Sequence, residues 1–216
     1  MIIWFATGNM NKKAELQAIL GDVNLEIKTP NEAGLLFDPD ESGTSFHENA
    51  MIKALELYRL LCKKGLFNPG DAVIADDSGL CVDALDGRPG IYSARYAGAD
   101  RPPTDTKLTS AERNALLLEE LGNKTNRKAR FVCAMVLLWD ENRFYLVSET
   151  IEGEIVKGLS GQRGDGGFGY DPVFYIPELG KTAAELPDAE KNKISHRGKA
   201  ARVIGKMLGS REQGAD

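Results

Sequence analysis

Histidine occurs only twice in this 216-residue chain, at His47 and His196, and cysteine three times, at Cys62, Cys81 and Cys133. Two histidines exclude a metal centre built from several imidazoles. Three scattered cysteines without C-x-x-C spacing exclude a zinc knuckle and a disulfide framework, and they fit a reducing, cytoplasmic compartment. Basic runs are missing too. Against 27 Lys and Arg stand 32 Asp and Glu, a net charge of −5, so no nucleic-acid partner is expected. The longest apolar run, FVCAMVLLW (Phe131–Trp139), is too short to span a bilayer, and no membrane partner is expected. No basic segment precedes the short apolar start, so no signal peptide is expected. Neither G-x-x-x-x-G-K-[ST] nor G-x-S-x-G occurs, which removes P-loop ATPases and gives no support to a serine hydrolase.

What remains has the composition of a globular protein, 42% hydrophobic and 27% charged. Without repeats or a long linker, residues 1–216 read as a single domain. Ile2–Thr7 reads as a buried strand and Asn11–Leu20 as a helix closed by Gly21 and capped by Asn9. Leu25–Thr29 is a short strand. Ser45 and Glu48 match a capping box ahead of a helix with Phe46, Ala50, Ala54, Leu57 and Leu61 on one face, ending at Gly65. Ala72–Asp76 is a short strand, and Ser110–Leu121 a helix ended by Gly122. RFVCAMVLLW and RFYLVSE make a hairpin around DEN, with Glu152–Gly158 a possible third strand. A helix over about 196–208 closes the pattern. Early alternation followed by antiparallel strands gives an α/β fold, a mixed sheet flanked by helices.

Four polar segments carry chemistry. In FATGNMNKKAEL, a strand end leads through Thr-Gly-Asn into a lysine-bearing helix N-terminus, a place for an anion. IADDSGL puts Asp76 and Asp77 side by side at a strand end; if the strand continues, they face opposite sides. DPDESG, residues 38–43, supplies carboxylates for a hard cation such as Mg²⁺. GDGGFGYDP formally satisfies G-x-G-x-x-G, yet Pro172 and a strand follow, so the dinucleotide reading fails. Its glycines suit close approach to a ligand, with Phe168 or Tyr170 offering a ring. In EKNKISHRGKA, Ser195 is a candidate cap, and His196 and Arg197 sit in a first helical turn, where cations oppose the dipole.

Taken in order, TGNxxK, SFxENAxxKA, ADDSGL, GRPGIYSARYAG, GGFGYDP and KxxxxSHRGKA closely resemble the inosine triphosphate pyrophosphatase family, from Ile3 to about Leu208. The resemblance implies an elongated mixed α/β sheet flanked by helices, with two lobes, a cleft between them, and a homodimer. It implies Mg²⁺-dependent hydrolysis of ITP, dITP or XTP to the monophosphate and pyrophosphate. By the family pattern Thr7, Gly8, Asn9, Met10, Asn11 and Lys12 hold the phosphates, with Lys53 a second cation. Asp77 is the proton acceptor and a metal ligand, and Ser78 contacts substrate. Phe168, Gly169, Tyr170, Asp171, Lys191, His196 and Arg197 recognise the base. The acidic-loop metal ligand, usually Glu, aligns with Asp40, and Glu41 is the alternative. A pyrophosphatase of other base specificity, or a nucleotide-binding module without turnover, are the competing readings.

Overall fold

The protein is described by a computed structural model covering residues 1–21, 25–98 and 108–212. Its seven strands form one mixed sheet in the order β2-β1-β3-β4-β5-β6-β7. They are β1 (Ile2–Phe5), β2 (Glu26–Lys28), β3 (Ala72–Val82), β4 (Lys128–Asp140), β5 (Arg143–Ile155), β6 (Phe174–Ile176) and β7 (Lys181–Thr182). Strand β1 lies between β2 and β3 and is parallel to both, with Ile3 beside Ile27 and Ala72. Strands β5, β6 and β7 pair antiparallel. Among the described residues five α-helices accompany them: α1 (Met10–Leu20), α2 (Phe46–Lys64), α3 (Ser110–Leu121), α4 (Asp188–Ile194) and α5 (His196–Glu212). Among the described residues, no helix is long and apolar enough to cross a membrane.

The chain forms two compact units. The first comprises Met1–Asp77, Cys133–Glu149 and His196–Asp216, and the second Ser78–Val132 and Thr150–Ser195. In the first, strand alternation sorts the core into two layers. Ile3, Phe5, Ala72, Ile74, Cys133, Met135 and Leu137 pack with Leu16 and Leu20 of α1 and Ala200, Ala201 and Ile204 of α5. The intervening Trp4, Ala6, Val73, Ala75, Ala134, Val136 and Leu138 pack on Ala50, Ala54, Leu57 and Leu61 of α2. In the second unit, Leu80, Val82, Phe131, Ile155 and Phe174 join Leu117, Leu118 and Leu121 of α3.

Several local expectations hold. Asn9 caps α1, its Oδ1 accepting from Asn11 N at 3.0 Å and Lys12 N at 3.3 Å. Gly65 ends α2 in the left-handed region, φ 66°, its N–H donating to the Leu61 and Cys62 carbonyls. Others change. Strand β3 does not stop at Asp76 but runs eleven residues, to Val82. Glu152–Gly158 is no separate strand, because β5 continues to Ile155. Glu48 does not close a capping box on Ser45. Ser45 Oγ accepts from Glu48 N, but the Glu48 carboxylate takes Thr44 N at 2.6 Å and Thr44 Oγ1 at 2.8 Å. A short helix, α4, precedes Ser195, and α5 runs on to Glu212.

Candidate active site

In the order β2-β1-β3-β4 the chain leaves β1 toward β2 on one side and leaves β3 toward β4 on the other, and such a switch point leaves room for a ligand at the strand ends. There β1 gives way to Thr7–Asn9. Thr7 Oγ1 accepts from Asn9 N at 3.0 Å, tightening the turn into α1. The N–H groups of Gly8 and Met10 make no hydrogen bond among the described residues, and Gly8, Asn9, Met10 and Asn11 are exposed. An anion would find open donors and the positive end of α1 here.

The period of β3 decides what its two aspartates do. Asp76 continues the Ala72–Ile74 row toward α1 and α5, and Asp77 the Val73–Ala75 row toward α2. Lys12 Nζ donates to both Asp76 carboxylate oxygens at 3.0 Å, and Arg197 Nε donates to Oδ2 at 3.2 Å. Arg197 Nη1 also donates to Glu15. Burial alone would raise the Asp76 pKa, but Lys12, Arg197 and Lys53 outweigh it and hold the carboxyl well below the usual range.

On the other face, Lys53 Nζ donates to Asp77 Oδ1 at 2.9 Å and to Glu41 Oε1 at 3.1 Å. Asn49, one helical turn before Lys53 and fully buried, donates to Asp77 Oδ2 at 3.4 Å and accepts from Gly43 N at 2.9 Å. Glycine is required at 43 because a Cβ would come within 2.6 Å of Asn49 Oδ1. The acidic loop is thereby fastened to α2. Glu41, not Asp40, is brought to Lys53; Asp40 is exposed. Burial opposes Lys53 ionisation, yet Asp77, Asp76 and Glu41 together raise its pKa. Burial raises the Asp77 pKa, and Lys53 only partly offsets it.

Four carboxylates here, on Glu15, Glu41, Asp76 and Asp77, face three cations, Lys12, Lys53 and Arg197. The surplus is negative and sits on hard oxygen donors, which fits a divalent cation. Among the described residues, no three His, Cys, Asp or Glu side chains converge into a ready-made metal cage. A cation would therefore use one or two carboxylates and complete its shell with water and phosphate oxygens, as Mg²⁺ does.

In the second unit, the glycine-rich segment is organised by Asp171. Its Oδ2 accepts from Phe168 N at 2.7 Å and Lys191 Nζ at 2.8 Å. The Lys191 ammonium lies 5.0 Å from the Phe168 ring centroid. Gly167 and Gly169 have φ of 69° and 66°, and a Cβ on Gly167 would come within 2.1 Å of Asp171 Oδ2. Asn114 Nδ2 donates to the Gly169 carbonyl at 3.2 Å. Of the two candidate rings, Tyr170 is committed to the core, with its OH donating to Ser93 O at 3.0 Å and its pKa raised by burial. Phe168 is only half-buried.

The Ham1 family profile matches residues 3–207. The chain belongs to the Ham1 family. A dITP/XTP pyrophosphatase of Treponema denticola is 47% identical over 209 residues, 96% of this chain and 98% of that protein. One from Clostridium perfringens is 45% identical over 197 residues, covering 90% and 91%. A solved HAM1 protein from Coxiella burnetii superposes with a TM-score of 0.78 at 37% identity, covering 97% of this chain and 99% of its own. The Staphylococcus aureus Ham1 protein gives 0.77, also at 37% identity, covering 98% and 100%. The expected family and α/β fold therefore stand.

Within this Ham1 chain, the geometry adds detail to the sequence reading at three residues. Arg197, read as a reader of the purine edge, has Nε and Nη1 on Asp76 and Glu15, and its side chain is 4% exposed. Asp40, aligned as the loop ligand, is exposed, and its neighbour Glu41 pairs with Lys53. Tyr170 presents no open ring. Asn49, Asn114 and Glu15 were assigned no role from the sequence. The helical spacing Asn49–Lys53 and Lys12–Glu15 was the available signal. Ser78 follows Asp77 on β3, half-buried, and His196 opens α5, buried.

Proposed function

We propose that the chain hydrolyses non-standard purine nucleoside triphosphates, such as ITP, dITP and XTP, to the monophosphate and pyrophosphate. The observation that carries the reading is the Lys53 ammonium shared by Asp77 and Glu41, beside the open N-terminus of α1. Asp77 and Glu41 would hold Mg²⁺. When bound, Mg²⁺ neutralises charge on the phosphate oxygens and on the departing pyrophosphate. Within the Thr7 to Asn11 turn, the Gly8 and Met10 N–H groups offer backbone donors to the triphosphate, and Lys12 and Lys53 place positive point charges where negative charge builds up. Asp77 orients the attacking water and accepts its proton. Asp76 positions Lys12, and Arg197, anchored on Asp76 and Glu15, belongs to the set that reads the base. Phe168 supplies a face for the base, and Gly169, Asp171 and Lys191 fix that face; Ser78 and His196 complete the substrate-contacting set.

The same reading includes a cytoplasmic homodimer. Phe144 and Leu146, on one face of β5, are 45% and 38% exposed, an apolar pair suited to a second copy of the chain.

Rates on ITP, dITP, XTP, ATP and GTP with Mg²⁺ test the substrate class. The first three are expected to exceed ATP in kcat/KM by at least about 10²-fold, because an amino group in place of the 6-keto oxygen leaves buried donors unpaired. Equal rates on ATP would contradict the class. The metal assignment has its own test. Glu41→Gln is expected to raise the Mg²⁺ concentration for half-maximal rate on the order of 10-fold, and Asp40→Asn to leave it near wild type. The reverse pattern would return the role to Asp40.

A further inference from the structure

A cavity of about 350 Å³ opens in the second unit, lined by Arg127, Lys157, Ser160, Arg163 and Tyr175, with Glu154 as its one acid. Arg127 is 6% exposed. Its Nε donates to Ile155 O at 3.0 Å, its Nη1 to Gly122 O at 3.2 Å, and its Nη2 to Val156 O. A guanidinium has five N–H groups, so one on each Nη nitrogen has no partner among the described residues. Among the described residues no carboxylate pairs with Arg127, whose partners are backbone carbonyls, and burial pushes its pKa down. A buried cation compensated only in this way is costly, and an anion beside it would relieve the cost.

The rest of the lining points the same way. Lys157 is exposed and makes no ion pair among the described residues. Arg163 Nε is 3.6 Å from Glu185 Oε2, a loose pair, and its guanidinium lies 5.6 Å from the Tyr175 ring centroid. Three cations against one acid in the lining, with Glu185 only loosely on Arg163, stand out in a chain whose net charge is −5.

We propose that this cavity binds a compact phosphate-class oxyanion, inorganic phosphate being the simplest. Paired N–H groups on Arg127 suit two oxygens of one tetrahedral anion, Lys157 and Arg163 bring charge from the rim, and the Ser160 hydroxyl can donate. Its lining includes neither Lys12 nor Asp77, and binding there does not depend on the proposed reaction. It does have a path to the base-binding segment. Arg163 immediately precedes Gly164; Gly164 and Gly166 lie so close to Ala184 that a Cβ on them would come within 2.5 Å and 2.8 Å of its backbone. An anion on Arg163 would steady that segment from its N-terminal side.

The test is a titration of the ¹⁵N-labelled full chain with inorganic phosphate, against sodium chloride at matched ionic strength. The amides of Val156, Lys157, Ser160 and Gly161 are expected to shift saturably, with a dissociation constant of about 1 mM or below. In Lys157→Ala/Arg163→Ala, whose altered side chains are both exposed, binding at these amides is expected to weaken at least about 10-fold, and in Lys157→Ala alone at least about 3-fold. The amides of Gly8 and Met10, which report the triphosphate cradle, are expected to respond alike in all variants. Shifts that do not saturate, that chloride reproduces, or that persist undiminished in the double variant would overturn the site.

Discussion

Asp77→Asn is expected to lower kcat on inosine triphosphate by at least about 10²-fold while the chain still folds. The substitution keeps the shape of a side chain held by Lys53 and Asn49 but removes its charge and its basicity. Burial raises the Asp77 pKa against the partial pull of Lys53, which makes its carboxylate a stronger base than a solvent-exposed one. Losing both metal affinity and proton acceptance has to show in turnover. Folding should survive, because Lys53 keeps Glu41 as a partner. Circular dichroism and a thermal melt establish the fold, and steady-state rates read the effect. Near wild-type turnover from a folded Asp77→Asn would reduce the residue to a strand position.

The second large effect falls on stability. Asp76→Ala removes the carboxylate on which Lys12 and Arg197 converge, at a side chain with no exposure. Breaking a buried ionic cluster from one side leaves its cations uncompensated and costs about 3–5 kcal/mol. For a chain of this size that is a fall in Tm of roughly 6–20 °C. The pH dependence has a definite sign. Despite burial, the neighbouring cations hold the Asp76 pKa below its unfolded value. Its contribution is therefore present above the ordinary carboxylate range and is lost as pH falls through the depressed folded value. The gap in Tm between wild type and Asp76→Ala is expected to be full at neutral pH and to close only in strong acid. A variant that melts with wild type at pH 7 would mean that the cluster contributes no net stability.

These two residues also mark how far the sequence could be read. Alternation along β3 predicts opposite faces for Asp76 and Asp77, since a strand leaves no other choice. Asn9 and Gly65 were legible for a similar reason: a cap is decided by neighbours within four residues. The ion pairs of Arg197 were not. Its position against the helix dipole pointed to a ligand, and the carboxylates it also meets come from β3 and α1, far away in sequence. The choice between Asp40 and Glu41 depends on how Gly43 hooks onto Asn49, a contact between a loop and a helix face. The extra length of β3 and β5 is likewise set by pairing across the sheet. Local chemistry was readable, and long-range ion pairing was not.

The central claim is that water attacks the α-phosphorus and pyrophosphate leaves in one step. Hydrolysis of inosine triphosphate in ¹⁸O-labelled water, with the products separated and weighed by mass spectrometry, tests it directly. The account predicts inosine monophosphate carrying one ¹⁸O in its phosphate, with unlabelled pyrophosphate in equal amount and no orthophosphate from the first turnover. Labelled orthophosphate with inosine diphosphate, or label in the pyrophosphate, would contradict it.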